Sequence, residues 1–218
     1  MASRLAADAR EVFIPSSGGD LSGVATLPEP GQAFILFAHG SGSSRRSPRN
    51  QFVATRLNEA GFGTLLFDLL TEREDEEGEI RFDIPLLTER LGGAVRWARD
   101  HWAGMAAPIG LFGASTGAAA ALATAAELPE TVRAVVSRGG RPDMAGLSLA
   151  QVRCPTLLIV GELDHEVADL NREAIVRMPG STVTQLTILP HATHLFPEPG
   201  CLERVADLAI GWFHRHAH

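Results

Sequence analysis

The chain has 218 residues, 45 % hydrophobic and 21 % charged, enough apolar material to bury the core of one α/β domain with an ordinary soluble surface. Its formal charge of −7 and pI of about 5.6 leave no basic excess to neutralise phosphates, which argues against nucleic acid and anionic membranes as partners. Arginine supplies every one of the basic side chains, a feature read as coding bias and not as chemistry.

Met1–Arg10 is too polar for a signal peptide, because Arg4, Asp8 and Arg10 interrupt any apolar stretch, so a cytoplasmic location is expected. Glu11–Ile14 and Leu21–Leu27, separated by Ser16-Ser17-Gly18-Gly19-Asp20, read as an antiparallel hairpin. Phe34–Ala38 is a short apolar strand ending at His39-Gly40, and Pro48–Ala60 an amphipathic helix with proline near its start and Gly61 after its end. Thr64–Phe67 is the next buried strand. An acidic stretch, Glu72–Glu79, reads as a solvated loop leading to a helix over Pro85–Trp102. Ile109–Phe112 is a strand and Thr116–Glu127 an alanine-rich helix; its small-apolar run Gly117–Ala126 is far too short to span a membrane. Strands at Val132–Val136, Thr156–Val160 and Val183–Leu189 alternate with helices at Val167–Met178 and Leu202–His214. His214, His216 and His218 read as a frayed tail. Cys154 and Cys201 have neither disulfide-framework nor metal-ligand spacing.

Apolar strands separated by helices predict an α/β fold: a mostly parallel sheet of about eight strands, covered by helices on both faces, without a large lid, in a single domain over 1–218. Ligands of such sheets bind beyond the carboxyl ends of the strands. Gly113-Ala114-Ser115-Thr116-Gly117 stands at one of those ends and opens a helix, so it predicts a nucleophile elbow with the Ser115 hydroxyl above the sheet. Serine needs a base to take its proton. His194, in the loop after the last strand, is the candidate, with His191 competing three residues away. Asp164, beyond the strand Thr156–Val160, is the candidate for orienting that histidine; Glu162, Asp143 and Asp169 are alternatives, Glu162 the nearest. The chain order Ser115, Asp164, His194 matches that of α/β-hydrolases. His39-Gly40-Ser41-Gly42-Ser43-Ser44 lets the Ser41 N–H approach the elbow and join that of Thr116 as an oxyanion hole. His39 is read as shaping this loop.

The motifs HGSGSS, SPRN, FDLLTE, FDIPLL, GASTGAAAAL, VVSRGGRPD, LLIVGELD and ATHLFPEPG together resemble the dienelactone-hydrolase-like branch of the α/β-hydrolases, from about Val12 onward. The resemblance is strongest to the hydrolase module found beside or fused to phosphoribosyltransferase-like domains; no phosphoribosyltransferase segment is read in these residues. It implies Ser115 as nucleophile, Asp164 as acid and His194 as base. Dienelactone hydrolases proper carry cysteine at the elbow, so Ser115 shifts the implied activity from lactones toward general esters.

Arg138, after a central strand, is a candidate for holding a substrate carboxylate; the competing reading pairs it with Asp143 or Asp68. Arg45, Arg46 and Asn50 read as a solvated rim. The expected activity is hydrolysis of a small-molecule ester through an acyl-enzyme, with no metal or organic cofactor. A thioesterase or acyl transferase on the same machinery is the enzymatic rival, and a binding or regulatory module that kept the fold is the rival of another class. A homo-oligomer is compatible with every one of these readings.

Overall fold

The computed structural model describes residues 9–102 and 107–218. Most of the stretch read as too polar for a signal peptide therefore lies outside the described residues. In chain order the elements are β1 (Arg10–Ile14), β2 (Leu21–Thr26), β3 (Phe34–Ala38), α1 (Pro48–Glu59), β4 (Gly63–Phe67), α2 (Glu72–Glu76) and α3 (Ile84–His101). They continue with β5 (Ile109–Ala114), α4 (Thr116–Glu127), β6 (Val132–Arg138), β7 (Thr156–Gly161), α5 (His165–Arg177), β8 (Thr184–Leu189) and α6 (Cys201–His216).

The strands form one eight-stranded sheet in the order β1-β2-β4-β3-β5-β6-β7-β8. Only the β1–β2 and β2–β4 pairs are antiparallel; the remaining neighbours run parallel. Every residue of β3, β4, β5 and β7 is buried, which explains their unbroken apolar sequences: both faces are covered. Val53, Leu57, Val205, Ala209 and Phe213 of α1 and α6 close one face, and Leu91, Val95, Leu122 and Ala174 of α3, α4 and α5 the other. All parallel strands point their carboxyl ends to the same edge, so the loops after β3, β5, β6, β7 and β8 gather there. No helix among the described residues is long and apolar enough to cross a membrane.

Two local expectations need correction. The acidic stretch is no plain loop, because Thr71 and Glu74 form a capping box: Thr71 N–H donates to Glu74 Oε2 at 2.8 Å, and Glu74 N–H to Thr71 Oγ1 at 3.3 Å. That starts α2, a 3₁₀ turn at Gly78–Phe82 follows, and Arg90 of α3, 3 % exposed, reaches Glu74 at 2.8 Å. The C-terminal tail does not fray after His214; α6 runs to His216, whose ring lies 4.3 Å from that of Trp212. Pro142–Gln151, in the connection after β6, winds into 3₁₀ turns that bury Ala145 and Leu149.

Candidate active site

Ser115 is the one residue between the end of β5 and the start of α4, so it alone must turn the chain. Its backbone takes φ 52° and ψ −124°, a conformation that side chains disfavour and that costs of order 1–3 kcal/mol. The surroundings hold it there. Its N–H donates to Arg138 O at 3.2 Å, and its carbonyl accepts from Ala118 N–H at 3.0 Å and Arg141 N–H at 3.1 Å. The small residues of the motif are steric necessities. A Cβ on Gly117 would strike the Ala38 and His39 carbonyls, and one on Gly40 would lie 2.9 Å from Ser115 Cβ.

Asp164 precedes the first residue of α5, and His194 lies in the loop after β8; Asp164 Oδ2 meets His194 Nδ1 at 2.6 Å. The contact fixes the imidazole through Nδ1 and leaves Nε2 for other work. Gly139 joins this pair to the elbow. A Cβ there would be 3.5 Å from His194 Nδ1 and Cε1, and the preceding residue is Arg138, whose carbonyl holds the Ser115 N–H. Among the described residues no hydrogen bond links Ser115 Oγ to His194, a bond that in free enzymes is commonly long until substrate is present.

The rival side chains are otherwise engaged. Glu162 accepts the His191 N–H at 2.8 Å, while the His191 ring is 91 % exposed and 3.7 Å from the same carboxylate. Asp143 pairs with Arg141 at 2.8 Å and Asp169 with Arg172 at 2.6 Å.

One finding agrees with the expected oxyanion hole and a second alters it. Thr116 is the first helical residue, so its N–H has no carbonyl of its own helix to reach. The Ser41 N–H, expected to be free, donates instead to Thr116 Oγ1 at 2.9 Å. The glycine-serine loop is thereby pinned to the elbow by a hydroxyl that the sequence pattern did not single out for this.

His39 is buried with both ring nitrogens in use. Nε2 accepts from Leu69 N–H at 3.0 Å, which puts the proton on Nδ1, 3.0 Å from Gly40 O. Burial holds its pKa below the ordinary 6.5, outweighing the hydrogen bond to Gly40 and the Asp68 and Asp75 charges. The unfolded chain therefore takes up a proton near 6.5 that the folded chain resists, and stability is lost as pH falls through that value. Thermal melts at pH 7.5 and 5.5 are expected to show a lower Tm at pH 5.5, with a smaller difference in His39→Gln; an equal difference in both proteins would overturn this assignment.

Neither carboxylate proposed as a structural partner of Arg138 contacts it. Asp68 is held by Arg45, which is thus no free rim residue, and Asp143 by Arg141. Arg138, 5 % exposed, donates to Asn50 Oδ1 at 3.3 Å. A cavity of about 730 Å³ lies at the opposite edge of the sheet by Phe34, Trp102 and Thr131 and is lined by none of these side chains.

The strand order, the crossovers and a serine elbow after β5 are those of an α/β-hydrolase. An alpha/beta hydrolase domain family matches residues 31–204. A crystal structure of a dienelactone hydrolase from Anabaena variabilis superposes with a TM-score of 0.91 at 48 % identity, covering 97 % of this chain and 100 % of that one. The chain belongs to the α/β-hydrolase family and is of the dienelactone-hydrolase-like type. A Mycobacterium tuberculosis protein named "Putative phosphoribosyl transferase" is 52 % identical over 206 residues, 94 % of this chain and 46 % of that protein. The chain thus spans about half the length of the curated relatives it matches. Est1E from Butyrivibrio proteoclasticus shares the fold at a TM-score of 0.78 and 15 % identity, covering 94 % and 98 % of the two chains.

Proposed function

We propose that this α/β-hydrolase cleaves small carboxylic esters through an acyl-enzyme formed on Ser115. The observation that carries the reading is the 2.6 Å contact between Asp164 and His194, gathered with the strained Ser115 at one edge of the sheet. His194 Nε2 takes the Ser115 proton as the hydroxyl oxygen attacks the ester carbonyl, and returns it to the departing alkoxide. Water then repeats the sequence on the acyl-enzyme and releases the acid. Asp164 keeps the imidazole oriented and stabilises it while protonated. The developing oxyanion lies against the Thr116 and Ser41 amides, and the positive end of α4 adds to the attraction. For the Ser41 N–H to serve, the Thr116 hydroxyl must turn aside as the oxyanion arrives.

A panel of aryl esters from acetate to hexadecanoate tests this. Turnover is expected and should favour short acyl groups, because the connection after β6 folds only into the 3₁₀ stretch Pro142–Gln151 and offers no apolar lid. Absence of turnover across the panel overturns the proposal; equal turnover of long esters overturns the short-acyl preference.

A further inference from the structure

Arg138 closes β6 with its side chain turned away from α4. The preceding Ser137 points the other way: its Oγ lies where a Cβ on Gly140 would sit, beside the Cβ of Ala118. The guanidinium instead reaches the first turn of α1, where Asn50 Oδ1 takes one N–H. Its Nε and Nη1 are buried with no hydrogen-bond partner among the described residues, and so is Nε of the neighbouring Arg49. Burial and the Arg49 charge push the Arg138 pKa down to about 10, so the group is still protonated at neutral pH. Among the described residues neither arginine is in a salt bridge, and the Asn50 amide oxygen is the side-chain acceptor that Arg138 meets. Leaving N–H groups of a buried cation unmade is costly, and native proteins seldom accept it without a bound water or ion.

Its place gives this spare charge a use. The Arg138 carbonyl anchors the Ser115 N–H, and the next residue, Gly139, abuts the His194 ring. The N-terminus of α1, capped by Ser47, adds a positive dipole end on the same side.

We propose that Arg138, Arg49 and Asn50 form a binding site for an oxyanion of the carboxylate or phosphate type, seated between the end of β6 and the start of α1 beside the nucleophile. This deepens the ester-hydrolase reading and rests on it only for the further step that the anion is carried by the substrate. The unused Nε and Nη1 lie on different edges of the Arg138 guanidinium, so a carboxylate or phosphate oxygen takes an N–H from one of them, while Arg49 contributes a second charge.

Two measurements test the site. In the first, Tm is followed against malonate and against inorganic phosphate, with chloride at the same ionic strength as reference. A saturable rise with either anion is expected in the wild-type protein, diminished in Arg49→Gln and lost in Arg138→Gln. Arg138→Met is expected to melt higher than wild type in chloride alone, because it removes an uncompensated buried charge; an arginine with a purely structural role would give the opposite shift. If Arg138→Gln does not fold, Arg49→Gln carries the comparison from its half-buried helix position. No anion-dependent rise in wild type, or a rise undiminished by both variants, overturns the site.

In the second measurement, kcat/KM of an aryl hemisuccinate is compared with that of the neutral aryl butyrate. The ratio is expected to fall roughly 10- to 100-fold in Arg138→Gln, the range of a charge-assisted bond, and to be partly restored in Arg138→Lys. An unchanged ratio together with the Arg138-dependent Tm rise assigns the site to a free anion and not to the substrate. Turnover of the neutral ester without any anion effect overturns the anion site and leaves the hydrolase reading standing. An Arg138-dependent Tm rise in a protein that turns over no ester overturns the hydrolase reading and leaves the site.

Discussion

Ser115→Ala is expected to reduce ester turnover by more than about 10⁴-fold and to abolish labelling by a fluorophosphonate, since an activated hydroxyl is what attacks carbonyl carbon or phosphorus at a useful rate. Peptide mapping of the labelled wild-type protein should place the adduct on Ser115. The fold should survive, because the hydroxyl makes no capping hydrogen bond to α4. Ser115→Gly sharpens the test. It should lose as much activity as Ser115→Ala and melt higher than it, because glycine occupies φ 52° without the penalty that any Cβ incurs. For a chain of this size each kcal/mol of relieved strain corresponds to about 2–4 °C in Tm. Labelling at another residue, or turnover retained in Ser115→Ala, removes Ser115 from the mechanism. A glycine variant no more stable than the alanine variant shows instead that the elbow stores no backbone strain.

The elbow was legible because its constraint is local. A strand of buried apolar residues, a glycine on each side of an Ala-Ser-Thr, and an alanine-rich helix leave little choice about where the serine points. The parallel sheet was legible for a related reason: strands buried on both faces must be continuously apolar, and β3, β4, β5 and β7 are. The α2 segment is hidden by its charge: Thr71-Glu72-Arg73-Glu74 spells a capping box, but the acidic run around it has the composition of a solvated loop. What the sequence could not supply was who pairs with whom across the sheet edge. Asp68 takes Arg45, 23 residues away, and Asp143 takes Arg141, two residues away; neither takes Arg138. The Thr116 hydroxyl likewise meets the Ser41 amide only because two loops far apart in sequence converge. Such partner choices depend on distances of about an ångström, and periodicity carries no information at that scale.

His194→Ala is expected to lower the acylation rate by on the order of 10³-fold or more, and His191→Ala to leave it within a few-fold of wild type. The two histidines stand three residues apart in one loop, so composition and exposure of the loop cannot separate them, but their contacts do. His194 Nδ1 is 2.6 Å from an Asp164 carboxylate that is largely buried, a short charge-assisted bond that becomes stronger when the ring is protonated. His191 faces solvent at 3.7 Å from Glu162, an exposed pair of the kind that contributes about 0–1 kcal/mol and orients nothing toward the elbow. The His191 backbone N–H, not its ring, makes the firmer contact with Glu162, and alanine keeps that N–H. Asp164→Asn should reproduce most of the His194→Ala loss while leaving substrate binding intact, because an amide at this position permits the wrong imidazole tautomer. Combining Ser115→Ala with His194→Ala should add little to either change alone, since the base has no proton to remove once the hydroxyl is gone. Pre-steady-state burst kinetics with an aryl acetate read the acylation step directly. A larger loss in His191→Ala than in His194→Ala would transfer the base to His191, and full additivity in the double variant would show that the serine and histidine do not act in one step.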